Sequence, residues 1–354
     1  MKALRWHNRG DVRFEEVENA RPPRADEIRL DVEACGICGT DVEEYTSGPI
    51  VIPTCPHPLT GFQAPMIIGH EVAGRISDVG KDVRHLRPGQ LVGLDGSFFC
   101  GNCAACRRHQ PNLCDRWAFI GMSYPGGLAE KMTVPAYMAA PVPDSIPAEW
   151  AALAETFSVA TRALRRGRLV EAETVVVCGA GPVGLAVLQV AQASGARPVT
   201  VVDPSPFRRS KALELGAQSV LDSTTNVVEV LRDQEHGGPD VIIDCTGDSR
   251  IPGLAILAVR PGGRVVEVGL PPVPGELDLL QLALREVELI GSVGHVYDED
   301  YSKAVELIVS KRVDPRPLIT HRLSLTEAVP HGLALLASKS DPEMLKIIVA
   351  PRGA

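Results

Sequence analysis

From Glu27 to Ala34 the chain alternates, with Ile28, Leu30, Val32 and Ala34 set against Glu27, Arg29, Asp31 and Glu33. A period of two predicts a strand with one buried face. Shorter runs of the same kind, Glu71–Ile76 and Gln90–Leu94, follow, the second entered through the turn Arg87-Pro88-Gly89. Glycine and proline interrupt the pattern often enough that residues 1 to about 150 read as an irregular, largely β domain. From about residue 172 the texture changes. Apolar runs Thr174–Cys178, Pro198–Val202, Ser219–Leu221, Asp240–Asp244, Arg264–Val268 and Val287–Ile290 alternate with helix-length segments, as strands of a doubly wound parallel sheet do. Thr174 to Ala196 has no charged residue, but its glycines, Pro182, Gln189 and Gln192 mark a buried strand and helix, not a membrane span. After about 297 come a short helix, Tyr301–Ser310, a proline-rich extended piece, Val313–Leu318, and a last strand, Lys346–Val349. That tail is too short for a domain and is expected to pack on the β domain. The division expected is 1–153 with 298–354, and 154–297, in an α/β fold with no internal repeat.

Two domains also suit the length of 354 residues. Lys and Arg number 36 against 44 Asp and Glu, a formal charge of −8, without a basic block, so nucleic acid is not an expected partner. Aromatic residues are 4%, too few for base-stacking platforms. Arg5, Arg9, Asp11 and Arg13 interrupt the N-terminus before any signal-peptide core forms, which predicts a cytoplasmic protein with no membrane partner.

Four of the nine cysteines, Cys100, Cys103, Cys106 and Cys114, form C-x2-C-x2-C-x7-C in a short loop-like segment. That spacing suits one tetrahedral Zn²⁺, and four protein ligands leave no position for a substrate, so this ion is expected to be structural. Cys178 and Cys245 sit in apolar runs and read as buried small hydrophobes, as does Cys35.

Gly179-Ala-Gly181-Pro182-Val183-Gly184 follows a strand and opens a helix, and Asp203 ends the next strand 19 residues after Gly184. In that setting the motif is a dinucleotide site: Gly179 for the turn, Gly181 for close approach of the pyrophosphate, Gly184 for helix–strand packing, with the helix N-terminus facing the phosphates. Asp203 would bond the adenosine ribose hydroxyls and repel a 2′-phosphate, which favours NAD over NADP. Arg208 and Arg209 stand near enough in sequence to stack on adenine or meet a phosphate; the other reading is a solvated helix start.

Cys38, in Cys35-Gly-Ile-Cys38-Gly-Thr40-Asp41, and His70-Glu71, in Gly69-His70-Glu71-Val-Ala-Gly74, put ligand-type side chains at glycine-flanked turns, and Glu155 follows an Ala-rich stretch. Thiolate, imidazole and carboxylate from three places are what a zinc with an open position requires. Taken alone, Cys35 and Cys38 equally make a redox pair, and Glu155 an ordinary helix residue.

In this order, with the four-cysteine lobe, Glu155-Thr-Phe-Ser-Val-Ala160 and the glycine motif, the sequence resembles the zinc-dependent medium-chain alcohol and polyol dehydrogenases over almost its whole length. Met1–Asn8, Glu44-Tyr45, Gly48-Pro-Ile50 and His57-Pro-Leu-Thr60 look most like the 2,3-butanediol dehydrogenases. The resemblance implies a GroES-like catalytic domain and a Rossmann NAD domain, with two zincs per chain. A catalytic zinc would be held by Cys38 and His70, with Glu71 and Glu155 as carboxylate ligands or partners, and Asp41 orienting His70. It also implies hydride transfer between a secondary alcohol, a vicinal diol or hydroxyketone, and NAD, with Thr40 accepting the alcohol proton. Sorbitol-like polyols or threonine are the alternative substrates, and a non-catalytic NAD-sensing zinc protein the remote one. Relatives pair subunits through the last strand of the sheet, here Val287–Ile290, which predicts a homodimer or homotetramer. Where they commonly carry a relay histidine, five residues after the zinc cysteine, this chain has Glu43, followed by Glu44. Two readings of Glu43 stand: a replacement proton relay, or a solvated acid with protons leaving through water.

Overall fold

The alternation that starts at Glu27 runs on through the first metal-type motif, as one strand of 11 residues, Glu27–Ile37. In the computed structural model, which describes residues 1–233 and 237–353, this strand is the axis of a seven-stranded sheet. Glu71–Val79 lies antiparallel along one side of it. On the other side its first half pairs with Lys131–Pro135, and its second half with the C-terminal strand Lys346–Ala350. The end of the chain is therefore stitched beside the segment that leads into Cys38. Ile28, Leu30, Val32 and Cys35 are buried in the core of this unit together with Val72, Ile76, Val92 and Ile347.

The tail adds a strand that the pattern did not suggest, Ile319–Ser324, parallel to Lys346–Ala350. Its polar letters, Thr320, His321, Arg322 and Ser324, hide it, since the strand is only partly buried. The stretch Val313–Leu318 is not wholly extended: it closes in a 3₁₀ turn, Arg316–Leu318.

The second unit is a six-stranded parallel sheet in the order Ser219–Leu221, Val199–Val202, Val175–Cys178, Val241–Asp244, Arg264–Glu267, Glu288–Gly291. The strand order reverses beside Val175–Cys178, whose neighbours are the second and fourth strands in sequence. In open α/β sheets this switch point is where ligands bind. Thr174–Ala196 is here the strand Val175–Cys178 and the helix Pro182–Ala193. Among the described residues no helix is long and apolar enough to cross a membrane.

The chain divides into Met1–Glu155 with Val296–Val309 and Ile319–Ala354, and Thr156–His295 with Ser310–Leu318. The expected division put all of 298–354 with the β domain. Ser310–Leu318 departs from it because Gln189, on the helix Pro182–Ala193, donates to the Asp314 carbonyl (3.0 Å) and accepts from the Asp314 N–H (2.6 Å), capturing this segment for the parallel-sheet unit.

Candidate active site

Cys38 ends the long strand and caps the helix Gly39–Ser47. The helix start is tied by a reciprocal capping box in which Asp41, at the third helical position, accepts the Cys38 backbone N–H at 2.9 Å. The other oxygen of Asp41 takes the Gly69 N–H at 3.3 Å and stands 3.8 Å from Nδ1 of His70. One buried carboxylate thus fixes both the cysteine turn and the histidine turn. Thr40 brings its hydroxyl to 3.8 Å from the Cys38 sulfur.

Cys38, His70 and Glu71 offer ligand atoms that all lie within 4.8 Å of one another. His70 and Glu71 are buried, and Cys38 is half-buried. Burial opposes a charge on the His70 ring, but Cys38, Asp41 and Glu155 together raise its proton affinity well above the usual range for histidine. Soft sulfur, imidazole and carboxylate in a field that draws positive charge fit a zinc ion. Glu155 is not in the close group. It sits in the first turn of the helix Ala154–Arg166, buried, and reaches His70 electrostatically. Cys35 does not face Cys38 as a redox pair would: its buried sulfur lies toward the Gly36 carbonyl, 3.7 Å away.

Two residues that complete this site went unread in the sequence. Lys346, only 3% exposed, puts Nζ 2.5 Å from Oε1 of Glu71 and 3.3 Å from the Ile37 carbonyl. Gly36 lies across the ladder from Glu71, and a Cβ there would stand 1.9 Å from Oε2 of Glu71. The only signal of Lys346 in the sequence is a charged letter opening an apolar strand.

The adjacent acids Glu43 and Glu44 do not share one environment. Glu43 is exposed, its carboxyl raised by partial burial and by the charge of Glu44. Glu44 is fully buried, because its carboxylate accepts the N–H groups of Ile50, Val51 and Ile52.

The sulfurs of Cys100, Cys103, Cys106 and Cys114 also gather within 4.8 Å of one another. Backbone N–H groups of Cys100 and Arg116 point at the Cys114 sulfur, and that of Cys106 at Cys103. A backbone N–H from Asn102 leads the causes that hold Cys100 down to about 6. Such donors suit thiolates bound to metal. Cys55 is exposed and His57 accepts the Leu59 N–H; neither belongs to a donor group among the described residues.

In the second unit Gly179 has φ +90°, a conformation that favours glycine, and a Cβ on Gly184 would stand 1.8 Å from the Gly179 carbonyl oxygen. A Cβ at Gly181 would meet nothing within 4 Å, so the backbone there is open to a ligand. Pro182 and Val183 begin the helix behind it. Asp203 is buried, accepting from Ala180 N–H (2.7 Å) and Ser205 N–H (2.8 Å). Arg209 is tied to the carbonyls of Asp203 and Pro204 and to Asp222, whereas among the described residues no side-chain bond holds Arg208, whose backbone N–H meets the Ser205 hydroxyl.

Residues 24–144 match the alcohol dehydrogenase GroES-like domain, and residues 182–310 the zinc-binding dehydrogenase domain. The (R,R)-butanediol dehydrogenase of Neisseria gonorrhoeae is 33% identical over 358 residues, covering 99% of both chains. Human sorbitol dehydrogenase is 34% identical over 350 residues, covering 95% of each. The crystal structure of 2R,3R-butanediol dehydrogenase from Bacillus subtilis superposes with a TM-score of 0.91 at 31% identity, covering 99% of both chains.

Proposed function

The chain belongs to the zinc-binding alcohol dehydrogenases, and from that premise we propose that it passes a hydride between a secondary alcohol, a vicinal diol or its hydroxyketone, and NAD. The observation that carries the reading is the buried group of Cys38, His70 and Glu71 in a chain similar over 99% of its length to a butanediol dehydrogenase. Cys38, His70 and Glu71 would hold a catalytic zinc, with Glu155 close by, and the ion supplies Lewis acidity toward the substrate oxygen. Asp41 keeps the His70 ring in place through its bonds to both turns. Thr40 accepts the alcohol proton, its hydroxyl being beside the Cys38 sulfur. From there the proton leaves through water, since Glu43 is exposed. Gly179, Gly181, Pro182, Val183 and Gly184 form the turn for the pyrophosphate, Asp203 selects NAD by its charge, and Arg208 lies free to approach the adenosine end. Cys100, Cys103, Cys106 and Cys114 hold a second, structural zinc.

Such thiol ligands suit a reducing compartment, which supports a cytoplasmic enzyme. The edge strand Glu288–Gly291, beside exposed Leu279, Leu280, Leu284, Leu289 and Val293, supports self-association into a dimer or tetramer. Light scattering at micromolar concentration tests this, and a monomer would count against it.

The function is tested by offering diols, polyols and threonine with NAD and NADP while following the absorbance of reduced nicotinamide. Vicinal diols with NAD are expected to give the highest kcat/KM. Preference for polyols would move the enzyme to the sorbitol class, a reading favoured by the 34% identity to human sorbitol dehydrogenase. Inactivity of the zinc-loaded protein with every alcohol would overturn the proposal.

A further inference from the structure

A buried lysine needs a reason. Lys346 lies on the C-terminal strand, and the register Ile347↔Ile37 sets its side chain beside the strand end that carries Cys38. It is separated from its partner Glu71 by 275 positions in sequence and is 3% exposed. Burying such an ion pair rarely stabilises a fold more than apolar residues of the same volume would. Its surroundings are those of the donor group: Cys38 and Glu155 are within electrostatic reach of the ammonium, and Glu71 is bonded to it. The Glu71 carboxylate is boxed in, with Oε1 on Lys346 and Oε2 against Gly36, where a Cβ would be only 1.9 Å away. Nothing about this clasp helps Glu71 bind a metal with both oxygens.

We propose that Lys346 is a positioning residue of the metal centre: by holding Oε1 of Glu71 it limits that carboxylate to one-oxygen attachment and keeps a coordination position open for the substrate oxygen. The inference rests on the zinc reading of Cys38, His70 and Glu71. In charge terms Lys346 also offsets part of the excess that Asp41 and Glu155 add around a zinc already neutralised by Cys38 and Glu71. Without the ammonium, Glu71 keeps its full charge for the ion.

The test uses the zinc-loaded full chain and reads metal release to a chromophoric chelator, with the absorption of the cobalt-substituted protein as a second readout. Lys346→Met is expected to slow release from the catalytic site about tenfold, a change of the size seen when outer-shell partners are removed but opposite in sign, because the freed Oε1 of Glu71 can join the ion. Its cobalt bands should weaken as coordination number rises. Lys346→Arg keeps the cation and should release at the wild-type rate. In a Glu71→Gln background, Lys346→Met should change nothing further. Should Lys346→Met fail to fold, Lys346→Gln serves, with release between wild type and the Met prediction. Equal release and equal cobalt spectra in wild type and the Met or Gln variant would overturn the proposal. So would faster release that persists in the Glu71→Gln background, which marks a merely structural lysine. Failure of the underlying reading shows separately: Cys38→Ser would then keep the zinc content of the wild type.

Discussion

Asp244 and Glu267 face one another across neighbouring parallel strands, with no cation paired to either among the described residues. Asp244 is fully buried, and one of its oxygens accepts the N–H and hydroxyl of Thr246 at 2.8 and 2.7 Å. Burial first, and then the charge of Asp244, push the Glu267 carboxyl from 4.5 up to about 8, and burial also raises Asp244. Asp248, Cys178 and Cys245 are the other titratable groups that face the pair, and none supplies positive charge. The folded protein therefore keeps a proton here that the unfolded chain has released by pH 6. Stability is highest below the ordinary carboxylate range and is lost as pH rises toward and through about 8. Glu267→Gln removes the titration and leaves an amide N–H to bond Asp244 at every pH. At about 1.4 kcal/mol per tenfold change in proton affinity, the displacement sets an upper limit of about 5 kcal/mol at pH 9. Glu267 is only half-buried, and solvent screening reduces the gain to about 2 kcal/mol. For a unit of this size that is about 4–8 °C in the melting temperature. Thermal melts of wild type and variant at pH 4 and pH 9 read it directly: near coincidence at pH 4, a stabilised variant at pH 9. A difference of the same size at both pH values would refute the shared proton.

Gly36→Ala should drive the Glu71 carboxylate out of its slot, since the new Cβ would stand 1.9 Å from Oε2; overpacking of this kind costs about 1–3 kcal/mol. Metal analysis should then find the four-cysteine zinc retained and the catalytic zinc depleted, with alcohol oxidation down at least about tenfold. Cys103→Ser should do the opposite, lowering the melting temperature and removing the structural zinc while folded molecules keep their turnover. For cofactor choice, kcat/KM with NAD should exceed that with NADP by about tenfold, or about 1.4 kcal/mol, and Asp203→Asn should narrow the ratio. Better turnover of NADP by the wild type would show that Arg208 outweighs Asp203.

Local periodicity is why so much of the fold was legible. The runs at Thr174–Cys178, Asp240–Asp244 and Arg264–Val268 are built on consecutive β-branched residues, Val175–Val177, Val241–Ile243 and Val265–Val266, as strands covered on both faces are. The glycine motif was readable because Gly179 and Gly184 answer steric demands that any sequence of this fold must meet. Ile319–Ser324 was not readable, being half-exposed and polar, and its pairing partner lies beyond the next helix. Cys100 to Cys114 could be read as one donor group through spacing alone, because all four cysteines come from one segment. The Cys38 site is assembled from distant segments, and there the motifs named candidates without saying which carboxylate comes close. Glu71 joins the tight group and Glu155 stays outside it, an outcome set by strand register that local sequence does not carry.

Glu43 and Glu44 show where local reading must fail. On a helix, consecutive residues point about 100° apart, so two adjacent acids cannot both face the same way. Which of them turns inward depends on what waits inside. Here it is the chain reversal at Ile50–Ile52, whose three N–H groups have no strand to pair with and converge on the Glu44 carboxylate. Three such donors compensate a buried charge without any cation. The Glu44 carbonyl is used as well, accepting Trp6 Nε1 at 2.8 Å and the Gly48 N–H at 3.1 Å. The proline-rich loop that follows is therefore shaped from the same nine-residue helix that begins at Cys38. A substitution at Glu44 would disturb the loop and the helix that begins at Cys38 together, although Glu44 is not in the donor group of Cys38, His70 and Glu71. Glu43, one residue earlier, touches neither, and the identical letter carries a different physical meaning.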